Sequence, residues 1–251
     1  MERVAYERFA QLENSHFWFL SRRAIFFDVL DRVLSGKRDL QVLEIGCGAG
    51  GMIAPLQRYG TVHGMDIDVE YLRYCKERGF HRVLAGSGHD LPFSDASFDL
   101  IALFDCLEHI PDEGRALREI HRIVRPGGHV FFSVPAYEWL WSNNDDIAHH
   151  QRRYTKGRLR TALEGAGFQV LRASYFNALL LPLIIPSVLV QKLRGRFGLL
   201  PDGYNNTSVP IPGPLNWLFT KLMSAERFAI RAADLPFGHS LIAVARRPAN
   251  G

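Results

Sequence analysis

Cysteine is scarce in this chain and follows no pairing pattern: its three residues, Cys47, Cys75 and Cys106, are far apart and odd in number. That excludes a disulfide framework and a C-x-x-C metal site, and points to a reducing, cytoplasmic setting. No apolar run reaches the ~20 residues that a membrane span needs. The densest, residues 178–190, is short and carries Pro182 and Pro186. The opening Met1-Glu2-Arg3-Val4 has no secretory pattern, and neither an internal repeat nor a low-complexity tract is found. An excess of one charge is missing too: 30 Lys and Arg face 26 Asp and Glu, a net charge of +4. This balance gives no argument for nucleic acid.

What the chain has is the material of one large α/β domain: 251 residues, 47% hydrophobic and 22% charged. Strand-like runs at 41–45, 61–66, 81–85, 98–103, 128–134 and 168–176 alternate with helical stretches, and a last one at 240–246 ends the pattern. Such alternation implies a mostly parallel sheet with helices on both faces. Residues 4–34 read as two helices closed by Ser35-Gly36. A helix over 112–125 is capped by Asp112 and stopped by Arg125-Pro126-Gly127-Gly128. Another over 155–166 is capped by Thr155 and stopped by Gly167. Residues 195–214, rich in Gly, Pro and Asn, read as a loop before a helix at about 215–233.

The run Val42-Leu43-Glu44-Ile45-Gly46-Cys47-Gly48-Ala49-Gly50-Gly51 is the most informative segment. An apolar strand ends in an acid and enters a glycine-rich turn, which is how α/β proteins build a nucleotide site. Gly46, Gly48 and Gly51 also satisfy the dinucleotide fingerprint, and Asp66 stands where that motif wants a ribose-binding acid. Glu44 argues otherwise: an acid there suits an ammonium and repels a diphosphate.

In order along the chain, Glu44–Gly50, Asp66, Leu91-Pro92-Phe93-Ser94-Asp95-Ala96-Ser97-Phe98-Asp99, Leu107-Glu108-His109-Ile110 and Leu117–Gly128 resemble class I S-adenosylmethionine-dependent methyltransferases over about residues 40–135. The resemblance implies a Rossmann-like sheet of seven strands, the last antiparallel, with N-terminal helices and a long insert before that strand. It implies S-adenosylmethionine as cofactor. Glu44, Gly46, Cys47, Gly48 and Gly50 would hold its methionine part, and Asp66 the ribose hydroxyls. Ile67 would pack on adenine, and Phe104 and Asp105 would line the amino-acid end. The family often has Asp before the LPF segment to meet the adenine amino group. Ser87 stands there, with Asp90 as a substitute. Residues 134–154, His16-Phe17-Trp18-Phe19 with Arg22-Arg23, and Leu235–Ser240 resemble a bacterial subgroup often found near glycosyltransferases.

The division expected is a helical cap (1–36), a donor-binding core (37–177), an insert (178–236) and the last strand with its tail (237–251). The expected reaction is O-methylation of a small-molecule, sugar or lipid-linked glycan acceptor. N- or C-methylation, or donor binding without catalysis, are the alternatives. A hydroxyl acceptor benefits from a base with a pKa near neutrality, which favours His. His150 is the candidate, His149 its rival, and Tyr154 an acceptor-orienting group. His109 reads as structural or donor-side. Asp145, Asp146, His149 and His150 are close in sequence, but adjacent histidines diverge and no remote ligand is evident, so no metal is expected. The basic run at 152–158 reads as a solvated helix start or a hold for an anionic substrate. The apolar stretch and the basic residues after it, 178–196, are expected to cover the acceptor site, form a homodimer contact or touch a membrane surface.

Overall fold

Strands that are apolar on both sides need cover on both faces. The computed structural model, which describes residues 12–197, 199 and 211–249, supplies it. The strands are β1 (Leu40–Ile45), β2 (Gly60–Asp66), β3 (Val83–Ala85), β4 (Phe98–Phe104), β5 (Val124–Pro135), β6 (Gln169–Phe176) and β7 (Ser240–Arg246). The helices are α1 (Phe17–Leu34), α2 (Ile53–Leu56), α3 (Val69–Glu77), α4 (Glu113–Ile123), α5 (Asn143–Ala148), α6 (Lys156–Gly165), α7 (Leu181–Arg196) and α8 (Gly213–Ala232). All seven strands join one sheet in the order β3-β2-β1-β4-β5-β7-β6. Pairs from β3 through β5 are parallel, and β7 runs antiparallel to both of its neighbours. This is the seven-stranded Rossmann-like arrangement expected from the sequence.

Period-two alternation along the central strand assigns the two cores. Ile101 and Leu103 face one side, where Leu117 and Ile120 of α4 and Leu159 and Leu163 of α6 cover them. Leu100, Ala102 and Phe104 face the other, under Phe26 and Leu30 of α1 and Met223 and Ile230 of α8. Phe26 is fully buried there, its ring 5.6, 5.2 and 5.3 Å from those of Phe104, Phe131 and Phe176. Helices α1 and α8 run side by side, joined by Ser21 Oγ donating to the Thr220 carbonyl at 3.2 Å and by the Arg231–Asp28 ion pair.

Several boundaries differ from the sequence expectation. The first of the two N-terminal helices falls largely outside the described residues. Helix α4 stops at Ile123, with Val124 already extended (φ −76°, ψ 139°). Arg125 precedes a proline, which disfavours helical backbone, so the chain enters β5 early. Strand β3 is shorter than 81–85 because, as an edge strand, it pairs only with Gly64–Asp66. Of the loop expected at 195–214, Gly195 and Arg196 close α7 while Gly213 and Pro214 open α8. Proline in a first turn sacrifices no helical hydrogen bond, so Pro214 starts a helix and does not prevent one. Residue 198 and residues 200–210 of that expected loop lie outside the described residues. Among the described residues no helix is long and apolar enough to cross a membrane.

Because Phe26 fastens α1 to the sheet through three rings, Phe26→Ala should lower unfolding free energy by about 3–5 kcal/mol. Urea denaturation checks this, and a loss of under about 1 kcal/mol would show that the cap contributes little to the sheet's stability.

Candidate active site

Parallel strands diverge where their order reverses, here between β1 and β4, and a crevice opens beyond their carboxyl ends. A cavity of about 1060 Å³ lies there, at the upper end of the usual ~300–1,000 Å³ for ligand pockets and roomy enough for two molecules. One part of its wall is the glycine turn after β1. Gly46 has φ +75°, and a Cβ there would sit 2.5 Å from Cys106 Sγ, so only glycine fits this close approach. The Gly48 amide donates to Asp66 Oδ2 at 2.8 Å and the Asp68 amide to Oδ1 at 3.0 Å. Asp66 thus ties the turn to the end of β2 while still lining the cavity with acceptor capacity to spare.

Glu44 is the electrostatic anomaly of this part. It is buried, its Oε2 has no partner, and burial followed by the nearby Cys75 and Asp66 pushes its pKa well up. A positively charged group delivered into the cavity relieves that strain, as the ammonium of an amino-acid end would. Ile67 lies 78% exposed on the same wall, an apolar platform without a partner of its own. Ser87 lines the cavity as expected of an adenine contact, whereas its suggested substitute Asp90 is exposed and does not. Cys47, Gly48, Phe104 and Asp105 line it too. Gly50 does not. Its positive φ (+84°) shapes the turn from behind, against Cys75 and Phe80. Asp105 adopts φ +48°, a strained conformation for a residue with a side chain. It is held by an ion pair with Arg22 and by Ser133 Oγ, which donates to Asp105 Oδ1 at 2.9 Å. Arg22 itself is buried between Trp18 and Phe26.

The opposite part of the wall comes from the one-turn helix Leu107–His109 and from α5. Glu108 is fully buried, with neither carboxyl oxygen hydrogen-bonded, and burial followed by Asp105 raises its pKa well above normal. His109 hydrogen-bonds the Ala148 backbone, and burial followed by His150 lowers its pKa to about 4, so it is neutral. Their partner from a distant part of the sequence is His150, whose Nε2 lies 4.0 Å from Glu108 Oε1. His150 Nδ1 meets Asp145 Oδ1 at 2.8 Å. Asp145 also accepts from Arg153 Nε at 2.7 Å and Nη2 at 2.9 Å, and from the Ser142 amide at 2.7 Å. Burial opposes its charge, but the bonds from His150 and Arg153 outweigh that and hold the carboxyl below its ordinary range. An ionised Asp145 only accepts, so Nδ1 of His150 carries a hydrogen, and in the neutral imidazole the lone pair is on Nε2.

Two of the three residues expected to act on the acceptor are placed elsewhere. His149 ends α5 in a left-handed conformation (φ 57°) and is exposed, outside the cavity wall. Tyr154 is fully buried, and its hydroxyl donates to Glu113 Oε2 at 2.6 Å, so it secures α4 and orients no acceptor. Among the basic residues at 152–158, Arg152 donates to the carbonyls of Ile110 and Pro111. Arg153 is spent on Asp145. Glu108 and Arg22 stand within the resembling segments of the sequence, which gave neither of them a role. Their one signal is a charged residue placed within an otherwise apolar pattern.

Asp66→Ala removes both the turn's anchor and the hydroxyl acceptor. Calorimetry with S-adenosylhomocysteine should show at least tenfold weaker binding, in line with the ~1.5–3 kcal/mol of hydrogen bonds to charged groups. NAD serves as the control and should give no heat. Unchanged affinity in the variant would remove Asp66 from the donor site.

Residues 43–132 match the family model described as "Methyltransferase domain". A protein of Mycolicibacterium smegmatis called "Probable S-adenosylmethionine-dependent methyltransferase" is 31% identical over 166 residues, 63% of this chain and 62% of that one. A ubiquinone biosynthesis O-methyltransferase of Ralstonia nicotianae is 36% identical over 111 residues, 40% of this chain and 44% of that one. The chain therefore spans less than two thirds of these curated relatives. In fold it is similar to phosphoethanolamine N-methyltransferase 2 of Haemonchus contortus, solved with S-adenosyl-L-methionine, at a TM-score of 0.56 and 19% identity, covering 88% of this chain and 52% of that one. The matched domain, the strand order with its single antiparallel strand, and a glycine turn flanked by Glu44 and Asp66 support a class I S-adenosylmethionine-dependent methyltransferase.

Proposed function

We propose that the protein is an O-methyltransferase whose acceptor carries a hydroxyl group on an otherwise substantially apolar body, as a lipid-linked glycan or a hydroxylated small molecule does. When bound, S-adenosylmethionine supplies a methyl carbon on a sulfonium, so that an acceptor lone pair bonds to this carbon as the carbon–sulfur pair stays on sulfur. The observation that carries the oxygen assignment is the His150–Asp145 pair, set in the same cavity wall as the donor cradle. A hydroxyl, unlike a free amine, must lose a proton as it reacts. His150 Nε2 is the group placed to draw that proton, and Asp145 stabilises the charge that results. Glu44 and Asp66 fix the donor, and side chains of the cap and of the insert helices cover part of the cavity.

The apolar body is argued from α7. Leu180, Ile184 and Val188 turn toward the cavity, so the insert roofs it. The other face of the same helix exposes Leu189 and Leu193, each 58% accessible, with Arg194 and Arg196 beside them. Trp217 of α8 is likewise 61% exposed. Apolar side chains flanked by cations suit the interface of an anionic bilayer, and an acceptor held in that bilayer would enter under α7.

With methyl-labelled donor and a panel of alcohols, phenols, glycolipids and amines, label should appear in an ether. His150→Ala should lower kcat by about 10²–10⁴ with donor affinity kept, the range of a lost proton-transfer group. Label in an amine, or full turnover by the variant, overturns the oxygen assignment. Leu189→Asp with Leu193→Asp should abolish co-sedimentation with phosphatidylglycerol vesicles. Wild-type protein that ignores these vesicles, or that buries the face in a dimer detected by light scattering, overturns the membrane assignment.

A further inference from the structure

Glu108 has no role in holding the fold that its contacts reveal. Its side chain is wholly buried, lines the cavity, and offers two carboxyl oxygens to which no other residue donates a hydrogen bond. Leaving such a group unpaired is costly, and a cation is what answers it. Beside it, His109 and His150 complete a group whose ligand atoms all lie within 4.8 Å of one another. We propose that Glu108, His109 and His150 bind a divalent cation, and that this cation receives two neighbouring oxygens of the acceptor, as in a catechol or a cis-diol.

Three observations carry this inference. The ligand set is two imidazoles and one carboxylate, which suits a first-row transition cation better than magnesium and leaves coordination positions open. The imidazoles are already oriented from behind: His150 by Asp145 at 2.8 Å and His109 by the Ala148 backbone. That is the arrangement by which metal-ligating histidines are fixed, the second nitrogen being engaged so that the first presents its lone pair. Finally, the rings of His109 and His150 stand edge to face with centroids 4.7 Å apart and planes 77° apart, close to each other and not stacked. Closing onto a cation at ~2.1 Å from each ligand draws the three groups together by about 1 Å, within the reach of small side-chain rotations. In the cation-loaded protein His150 is a ligand and no longer the base: the cation lowers the pKa of the hydroxyl that it holds and the proton passes to solvent, whereas in the cation-free protein His150 Nε2 takes it. The acceptor half of this inference rests on the O-methylation reading; the cation half does not.

The test titrates Co²⁺ into chelator-treated protein and follows visible absorption and calorimetric heat. One Co²⁺ per chain is expected, with Glu108→Gln and His109→Ala each weakening it by at least tenfold. Asp145→Asn, which disturbs only the orienting bond, should weaken it by about 10–100-fold. S-adenosylhomocysteine binding, measured on each variant, reports that the fold survives. Should Glu108→Gln not fold, the more accessible His150→Ala takes its place. Absence of Co²⁺ binding, or equal binding by folded variants, overturns the site. Added catechol should shift the cobalt spectrum while phenol does not; silence from catechol overturns the acceptor class. Failure of the wild-type protein to bind S-adenosylhomocysteine would instead sink the methyltransferase reading and leave the cobalt result unaffected.

Discussion

Two carboxyl groups buried without partners, Glu44 at the end of β1 and Glu108 just beyond β4, set the terms for everything around them. Each is held out of water by neighbouring apolar side chains, so each favours positive charge nearby or gives up its own. They sit on adjacent strands, at the point where the sheet order reverses and the chain ends diverge. The crevice therefore holds two carboxyls that burial disposes to be neutral and that a cation brought beside them would let ionise. Arg22 reaches in from α1 but is committed to Asp105, and Arg153 is committed to Asp145. Positive charge that arrives with the ligands would compensate both. A donor with an ammonium group and a sulfonium meets the first requirement, and a divalent cation meets the second.

The rest of the cavity is arranged around that polar floor. Helix α1 and the insert helices α7 and α8 share one apolar core on the sheet face that carries Phe104. The cap, the insert and the donor-binding strands are thus one packing unit, although they come from opposite ends of the chain. Glu226 of α8 shows how closely they are joined: it accepts from the Asn177 amide at 2.6 Å and the Leu179 amide at 2.8 Å, capping the turn into α7.

What was legible in the sequence was local. The turn glycines and Asp66 could be read because steric necessity at Gly46 and an acid at a strand end leave marks within about 20 residues of each other. Asp112 and Thr155 were read as helix caps and do accept from Arg115 and Arg158. The acceptor side was legible only in part, because its geometry is made by tertiary contact. His149 and His150 differ by one position, yet a left-handed turn at His149 sends one outward and the other into the cavity. Tyr154 looked free to act because nothing in its neighbourhood announces Glu113, 41 residues earlier. The apolar stretch at 178–190 gave no sign of a helix, yet it opens α7 with Pro186 inside, whose missing N–H leaves the Pro182 carbonyl without its helical donor.

The remote ligand that adjacent histidines seemed to lack is the sharpest case. Glu108 and His109 come from the end of β4 and His150 from the far side of β5 and α5, so no spacing rule could join them. Once joined, their distances argue about chemistry. A base assisted by a second carboxyl would be expected to hydrogen-bond it, at about 2.7–3.2 Å. Here His150 Nε2 and Glu108 Oε1 stand 4.0 Å apart, and no other polar group bridges them. Asp145 already satisfies the opposite nitrogen, so His150 has no need of Glu108 for orientation. Nor does Glu108 have need of His150, since a neutral carboxyl could have been replaced by any apolar residue of similar volume at less cost. A carboxyl, two imidazoles and a gap between them make physical sense together when the gap is the position of a cation.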